Sequence, residues 1–235
     1  MTAALSIIRY KNAAIPFGWL SMALFRLPLY FNRKISFYKL MGTGLNGTFD
    51  IKPDIKTWAI LVVYKNGHEP QKANNLYFGK FMHSWFTLFA KEQFSLLLEP
   101  IAGHGYWDGK NVFGELAHQS DHKGMTATLT RATIRPSKLL SFWKNVAPVA
   151  KNMKSADGYL FSVGIGEVPW LKQATFSVWS SMDQMKAFAY KQMEHAEVIK
   201  KTRKENWYKE DMFVRFSISD TYGTTKGINP LKINP

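Results

Sequence analysis

One order of elements occurs twice in this 235-residue chain, and that repeat limits the folds open to it. Apolar patterning gives strand character to residues 5–10, 35–41, 58–64 and 94–101, and helical character to 13–31 and 73–91. Gly42, Gly44, Gly47 and Pro53 punctuate the long connection between the strands at 35–41 and 58–64. The second half repeats the order. Strands are expected at 126–134, 159–166, 173–179 and 212–219. One helix is expected from Ser137 through Trp143 to about residue 151, weakened at its end by Pro148. Another is expected over 183–207, capped by Ser181 or Asp183.

Each half is therefore strand-helix-strand-strand-helix-strand, the ferredoxin-like unit. Such a sheet carries helices on one face only, so two bare faces pack together as a barrel, within one chain or between chains as a homodimer. The expected class is α+β: two tandem ferredoxin-like halves, 1–102 and 125–220, forming an α/β barrel. Residues 103–124 are the expected linker and 221–235 a tail.

The chain is 46% apolar and 20% charged, which fits a globular protein. Aromatic residues reach 15%, more than a small core needs, and point to a large apolar cavity or an interface. The absence of cysteine excludes disulfides, thiolate-held zinc, iron–sulfur clusters and a cysteine nucleophile. No secretory signal is visible at the N-terminus, so a cytoplasmic location is expected. The net charge of +14 has a cluster at Lys200, Lys201, Arg203 and Lys204 and is otherwise scattered. No nucleic-acid-binding signature accompanies it, so nucleic acid is not an expected partner; anionic lipid and anionic cofactors are compatible. The most apolar stretch, from Pro16 to Phe31, is interrupted by Arg26 and Pro28 and is short for a membrane span. It reads as a buried or interfacial helix, able to rest on the inner membrane's surface or to form the mouth of a lipophilic pocket.

His195 falls on the buried stripe of the expected helix 183–207, seven residues after Phe188. It can ligate a metal or haem iron, or pack as a core histidine bonded to a neighbour; the helix by itself favours packing. Arg131 lies in line with Ala127 and Leu129 on an apolar row, where a buried guanidinium requires an anion. A bound anionic group and a salt bridge to an acid such as Glu167 both satisfy it. Trp179 ends the strand leading into the His195 helix. Of the other histidines, His68, His104, His118 and His122 lie in turns or the linker, and His83 is packed among aromatics. The His118/His122 spacing is only a weak metal signal. No Ser/His/Asp arrangement, carboxylate pair or nucleotide fingerprint appears, which argues against a polar hydrolase.

Several motifs resemble the spheroidene monooxygenase family of carotenoid biosynthesis. They are Phe37-Tyr-Lys-Leu-Met-Gly-Thr-Gly44, Thr130-Arg-Ala-Thr-Ile-Arg-Pro136, Phe142-Trp143, Gly164-Ile-Gly-Glu-Val-Pro169, Gln173-Ala-Thr-Phe-Ser-Val-Trp179, Met185 to Phe188, His195, and Asn206-Trp-Tyr-Lys-Glu-Asp-Met-Phe-Val-Arg-Phe216. The resemblance spans most of the chain and is densest from about residue 125 to 217. That family is similar to the dimeric α/β-barrel group, which includes haem-degrading monooxygenases, chlorite dismutases, dye-decolorizing peroxidases and aldoxime dehydratases. In haem-degrading members a histidine on the helix after the third strand holds the iron, and Trp179 followed by His195 looks similar.

The resemblance implies a haem-dependent monooxygenase that adds oxygen to a lipophilic substrate such as an acyclic carotenoid. It would use haem b and an electron donor. His195 would be the iron ligand, Arg131 would lie near the propionates or the distal oxygen species, and Trp179 would shape the pocket. Two other readings stay open: a haem enzyme acting on an N–O substrate, as aldoxime dehydratases do, and a non-catalytic haem- or lipid-binding barrel.

Overall fold

The computed structural model describes residues 1–45, 50–68, 77–191, 202 and 204–231, with the side chains of 146–151, 190 and 191 left aside. Eight strands form the sheet: β1 (Ala3–Tyr10), β2 (Ile35–Gly44), β3 (Pro53–Tyr64), β4 (Ala90–Gly105), β5 (Thr126–Ile134), β6 (Tyr159–Val168), β7 (Lys172–Trp179) and β8 (Tyr208–Gly223). They close in the order β1-β3-β2-β6-β7-β5-β8-β4, every neighbour antiparallel, so the barrel forms within one chain.

The two seams between the halves differ. β4 and β8 pair along most of their length, from Phe94↔Gly223 to Gly105↔Met212. This pairing carries β4 into the expected linker and β8 into the expected tail. β2 and β6 pair only at Gly42↔Gly166 and Thr43↔Ile165.

Period-two alternation sends one set of side chains inward. The barrel core takes Leu5 and Ile7 from β1, Leu61 and Val63 from β3, Phe94, Leu96 and Leu98 from β4, Ala127 and Leu129 from β5, Phe176 and Val178 from β7, and Val214 and Phe216 from β8. Each fully buried Phe of this set stabilises the fold by roughly 2–3 kcal/mol. Because the core draws on both halves, neither half can bury its inner face alone.

The outer face of the first half is covered by α1 (Ile15–Leu24), α2 (Arg26–Phe31) and α3 (Lys80–Phe89). Gly18 lets α1 approach the sheet: a Cβ there would lie 3.0 Å from both Trp58 and Tyr10. The Tyr10 hydroxyl donates to Ser21 Oγ at 3.0 Å, and Ser21 Oγ donates to the Gly18 carbonyl. Phe25, Leu29, Met82 and Phe86 complete an aromatic-rich outer layer. This is why β1, sandwiched between core and layer, is buried on both faces.

On the second half, α4 (Leu139–Met153) runs on past Pro148, beyond the expected weakening. α5 (Met182–Lys191) begins after Ser181, whose Oγ accepts the Gln184 amide at 3.3 Å and so is the cap. Of the expected helix 183–207, α5 accounts for the part up to Lys191, residues 192–201 and 203 lie outside the described residues, and Trp207 itself is not helical. Asn206 has φ +51, and the Trp207 amide bonds back to the Thr202 carbonyl at 3.1 Å, the left-handed stop of a helix C-terminus.

Candidate active site

A charged cluster fills one mouth of the barrel. Arg131 continues the inward row of Ala127 and Leu129, and it is 1% exposed. Its guanidinium pairs with Glu210 and lies 3.4 Å from Asp108 and 3.6 Å from Glu167. Lys39 pairs with both Asp108 and Glu167, and Lys172 with Asp108 at 2.6 Å. Trp107 Nε1 donates to Glu167 at 2.6 Å, and the Trp107 ring faces the Arg131 guanidinium at 5.5 Å. Three cations from β2, β5 and β7 thus face three carboxylates from β6, β8 and the Trp107–Lys110 turn. Lys39–Glu167 spans the short β2–β6 seam.

The turn is built by Asp108 and Gly109, with φ +51 and +71, the Asp-Gly geometry of a tight hairpin. Their amides donate to Glu210 at 3.0 and 2.7 Å. Burial works against ionising Asp108, but the hydrogen bonds from Lys172 and Lys39 outweigh it and hold its carboxyl at about 2. Glu210 is likewise lowered: burial opposes ionisation, and the Gly109 and Asp108 amides together with Arg131 overcome it.

The opposite face of the same strands is different in character. Trp179 is 1% exposed and packs outward against α5, with its ring centroid 5.1 Å from Phe188 and 6.0 Å from Tyr159. Met182 and Met185 complete this cluster. Beside Trp179, the outward positions are small or hydroxylic. Ser162, Ser177 and Thr128 form one cross-strand row and Gly164, Thr175 and Thr130 the next. Ser177 Oγ accepts the Trp179 Nε1 hydrogen at 3.0 Å. Thr128 is 5% exposed, yet its hydroxyl has no partner among the described residues. Arg215, register partner of Thr128, continues the row; its Nε is buried without a partner among the described residues, its Nη1 donates to the His118 carbonyl at 3.4 Å, and its guanidinium stacks on Phe213 at 5.1 Å. The first half fills its outer face with large side chains, whereas this face carries small and hydroxylic ones, Thr128 with a buried hydroxyl that finds no partner among the described residues.

Of the residues picked out in the sequence, Arg131 and Trp179 are both buried but lie on opposite faces of the β5–β7 ribbon. Arg131 finds its anions inside the barrel, Glu167 among them. His195 lies outside the described residues, as do the basic positions Lys200, Lys201 and Arg203. His118 and His122 do not converge: His122 Nε2 faces the Met125 carbonyl at 3.2 Å, while the His118 ring lies 6.1 Å from that of His104. Among the described residues, no group of three or more His, Asp and Glu is arranged to hold a metal ion. Sequence reasoning missed Arg215, although the Phe213/Arg215 alternation shows it sharing a face. It also missed Lys39, Asp108, Lys172 and Glu210; the Asp108-Gly109 pair signals only the turn that carries Asp108.

Comparison with known proteins gives the family. No protein-family model matches the chain. Spheroidene monooxygenase of Rhodobacter capsulatus is 32% identical over 234 residues, covering 97% of this chain and 95% of that protein. Spheroidene monooxygenase of Cereibacter sphaeroides is 33% identical over 232 residues, covering 98% of this chain and 70% of that protein. Among solved structures, an aldoxime dehydratase bound to butyraldoxime superposes with a TM-score of 0.59 at 8% identity, covering 93% of this chain and 79% of that one, a likeness of fold alone. The identity and its span leave one conclusion: the chain belongs to the spheroidene monooxygenase family.

Proposed function

We propose that this protein is a haem-dependent monooxygenase of a lipophilic substrate, a carotenoid, working on the outer face of the β5–β7 ribbon against α5. The observation that carries the location is the buried, unpartnered Thr128 hydroxyl. It sits on a face of small side chains between an aromatic wall, Trp179 with Phe188, and an arginine, Arg215. These residues fit haem b. A porphyrin supplies four nitrogens itself and asks the protein for one axial side chain, so a three-residue metal cluster is not required. His195 follows Phe188 by seven residues in the chain and would provide that ligand. Arg215 would meet a propionate, and the glycine and hydroxyl positions would leave depth for a flat macrocycle.

When bound, haem would supply the iron at which dioxygen is reduced. The chain's own residues would do the rest. Trp179, Met182, Met185 and Phe188 exclude water and align an apolar polyene, and Thr128 offers a hydroxyl for a polar atom. Arg131, on the other face of β5, is a positioning residue that fixes β5, β6 and β8 from within the barrel. Each C–H converted to C–OH takes one oxygen atom from dioxygen. The other atom leaves as water with two protons and two electrons, which an external electron donor must deliver. A second round at the same carbon gives a geminal diol, and loss of water yields the ketone.

The test is an absorption spectrum. Wild-type protein supplied with haemin should show the Soret band of a histidine-ligated haem, and His195→Ala should lose it; full retention in the variant overturns the ligand assignment. Turnover of an acyclic carotenoid with reductant, set against an aldoxime, then separates oxygenation from N–O chemistry. Protein that stays colourless with added haemin would sink the haem reading altogether.

A further inference from the structure

We propose that the outer face formed by α1, α2 and α3 is a docking surface for an anionic lipid bilayer. A surface helix normally turns polar residues outward. Here α1 and α2 bury the stripe Gly18, Ser21, Phe25 and Leu29, and the opposite side is apolar too. Leu27 is 60% exposed, Tyr30 74%, Phe31 72% and, from α3, Leu88 63%, with Trp19 and Leu20 also open. The helices form one layer, since Phe17 stacks on Phe89 at 4.1 Å and Phe25 meets Phe81 edge-on at 6.1 Å. An exposed apolar face of this kind marks a partner.

Charge identifies which partner. Residues 11–34 and 77–91, which make this layer, contain Lys11, Arg26, Arg33, Lys34, Lys80 and Lys91 and not one Asp or Glu. The first acidic residue of the whole chain is Asp50. All six basic residues are exposed. A purely acidic protein surface would meet these charges but would leave the open apolar and aromatic side chains uncovered. A bilayer answers both: Trp and Tyr favour the headgroup level, Leu and Phe the acyl boundary, and Lys and Arg the anionic phosphates. The run Asn12–Phe31 is by length and composition able to cross a membrane, but here it is folded down by its buried stripe, so it lies on the surface.

The experiment is co-sedimentation of the full chain with phosphatidylcholine vesicles, with and without phosphatidylglycerol. Binding should require phosphatidylglycerol and weaken in high salt. The double variant Leu27→Glu/Phe31→Glu should lower the partition coefficient by at least about tenfold, as expected from exchanging two buried apolar contacts for two like charges. Ile228→Glu, an equally exposed apolar position elsewhere, should leave it unchanged. Circular dichroism and the melting temperature should be the same in all three proteins; if the double variant fails to fold, Leu88→Glu replaces it. Three results overturn the proposal: no binding to anionic vesicles, undiminished binding by the folded variant, or a dimer in light scattering that Leu27→Glu/Phe31→Glu breaks, which would assign the face to a second copy of the chain.

Discussion

Arg131 and Trp179, one on β5 and the other on the adjacent β7, point to opposite sides of the ribbon the two strands make. Arg131 pairs across to Ala174, an inward position, and Trp179 pairs across to Thr126 on the outer face. One strand pair thus carries an ionic plug on its inner side and an aromatic wall on its outer side, and substitutions on the two sides should fail differently.

Arg131→Met should act on stability. It leaves Glu210 and its neighbours facing one another without their central cation, and removal of one partner of a buried pair costs about 3–5 kcal/mol. Urea unfolding should show this as a lower midpoint with an unchanged slope. Arg131→Lys keeps the charge but loses the fork, so it should recover only part of the loss.

Acid should loosen the same plug. Asp108 and Glu210 have folded pKa values below their unfolded ones, so their contribution is complete above about pH 5, where the unfolded carboxyls are also ionised. It fades as pH falls toward about 2, the Asp108 value. Melting temperatures taken across this range should fall for wild type and fall less steeply for Asp108→Asn. Parallel curves would refute the linkage.

Thr128→Val separates site from scaffold. Removing a buried hydroxyl without a partner should leave stability unchanged or raise it by about 1 kcal/mol. If the face holds a ligand through that hydroxyl, affinity for haemin or for the carotenoid should drop about fivefold in the same protein. A purely structural threonine would show the first effect without the second.

Two glycines in left-handed conformations give a graded test of the barrel. A Cβ at Gly105 would lie 2.3 Å from the Asp211 carbonyl oxygen, whereas one at Gly109 meets nothing within 4 Å. Gly109→Ala should therefore cost only the conformational penalty of about 1–2 kcal/mol. Gly105→Ala must push β4 away from β8, and soluble yield and thermal denaturation should both show a much larger loss.

Much of the barrel could be read from the chain because alternation is a local property. β5 occupies 126–134 as expected, bounded by Pro136, and the Arg131–Glu167 proximity follows from inward alternation on β5 and β6. The rest of the plug was not legible. Lys39, Asp108, Lys172 and Glu210 come together only once the barrel closes, and no spacing along the chain announces a contact made across it. The strand ends of β4 and β8 were missed for a similar reason: residues 102–105 and 220–223 pair with the opposite half. Arg215 was legible and overlooked, since its outward side follows from Val214 and Phe216 facing in. Of the stripe expected to carry His195, Met185, Phe188 and Ala189 stand in α5, and the later positions lie outside the described residues.

The unequal seams make the protein a candidate for fragment complementation. The segment 119–125 is largely exposed and belongs to no strand or helix, apart from the last residue's approach to β5. A chain cut there would give two pieces, each with half of an apolar interior that has no other cover. The long β4–β8 edge would act as the template on which they find each other. The Lys39–Glu167 contact would then latch the short β2–β6 edge, so reassembly should be zipper-like at one seam and salt-sensitive at the other.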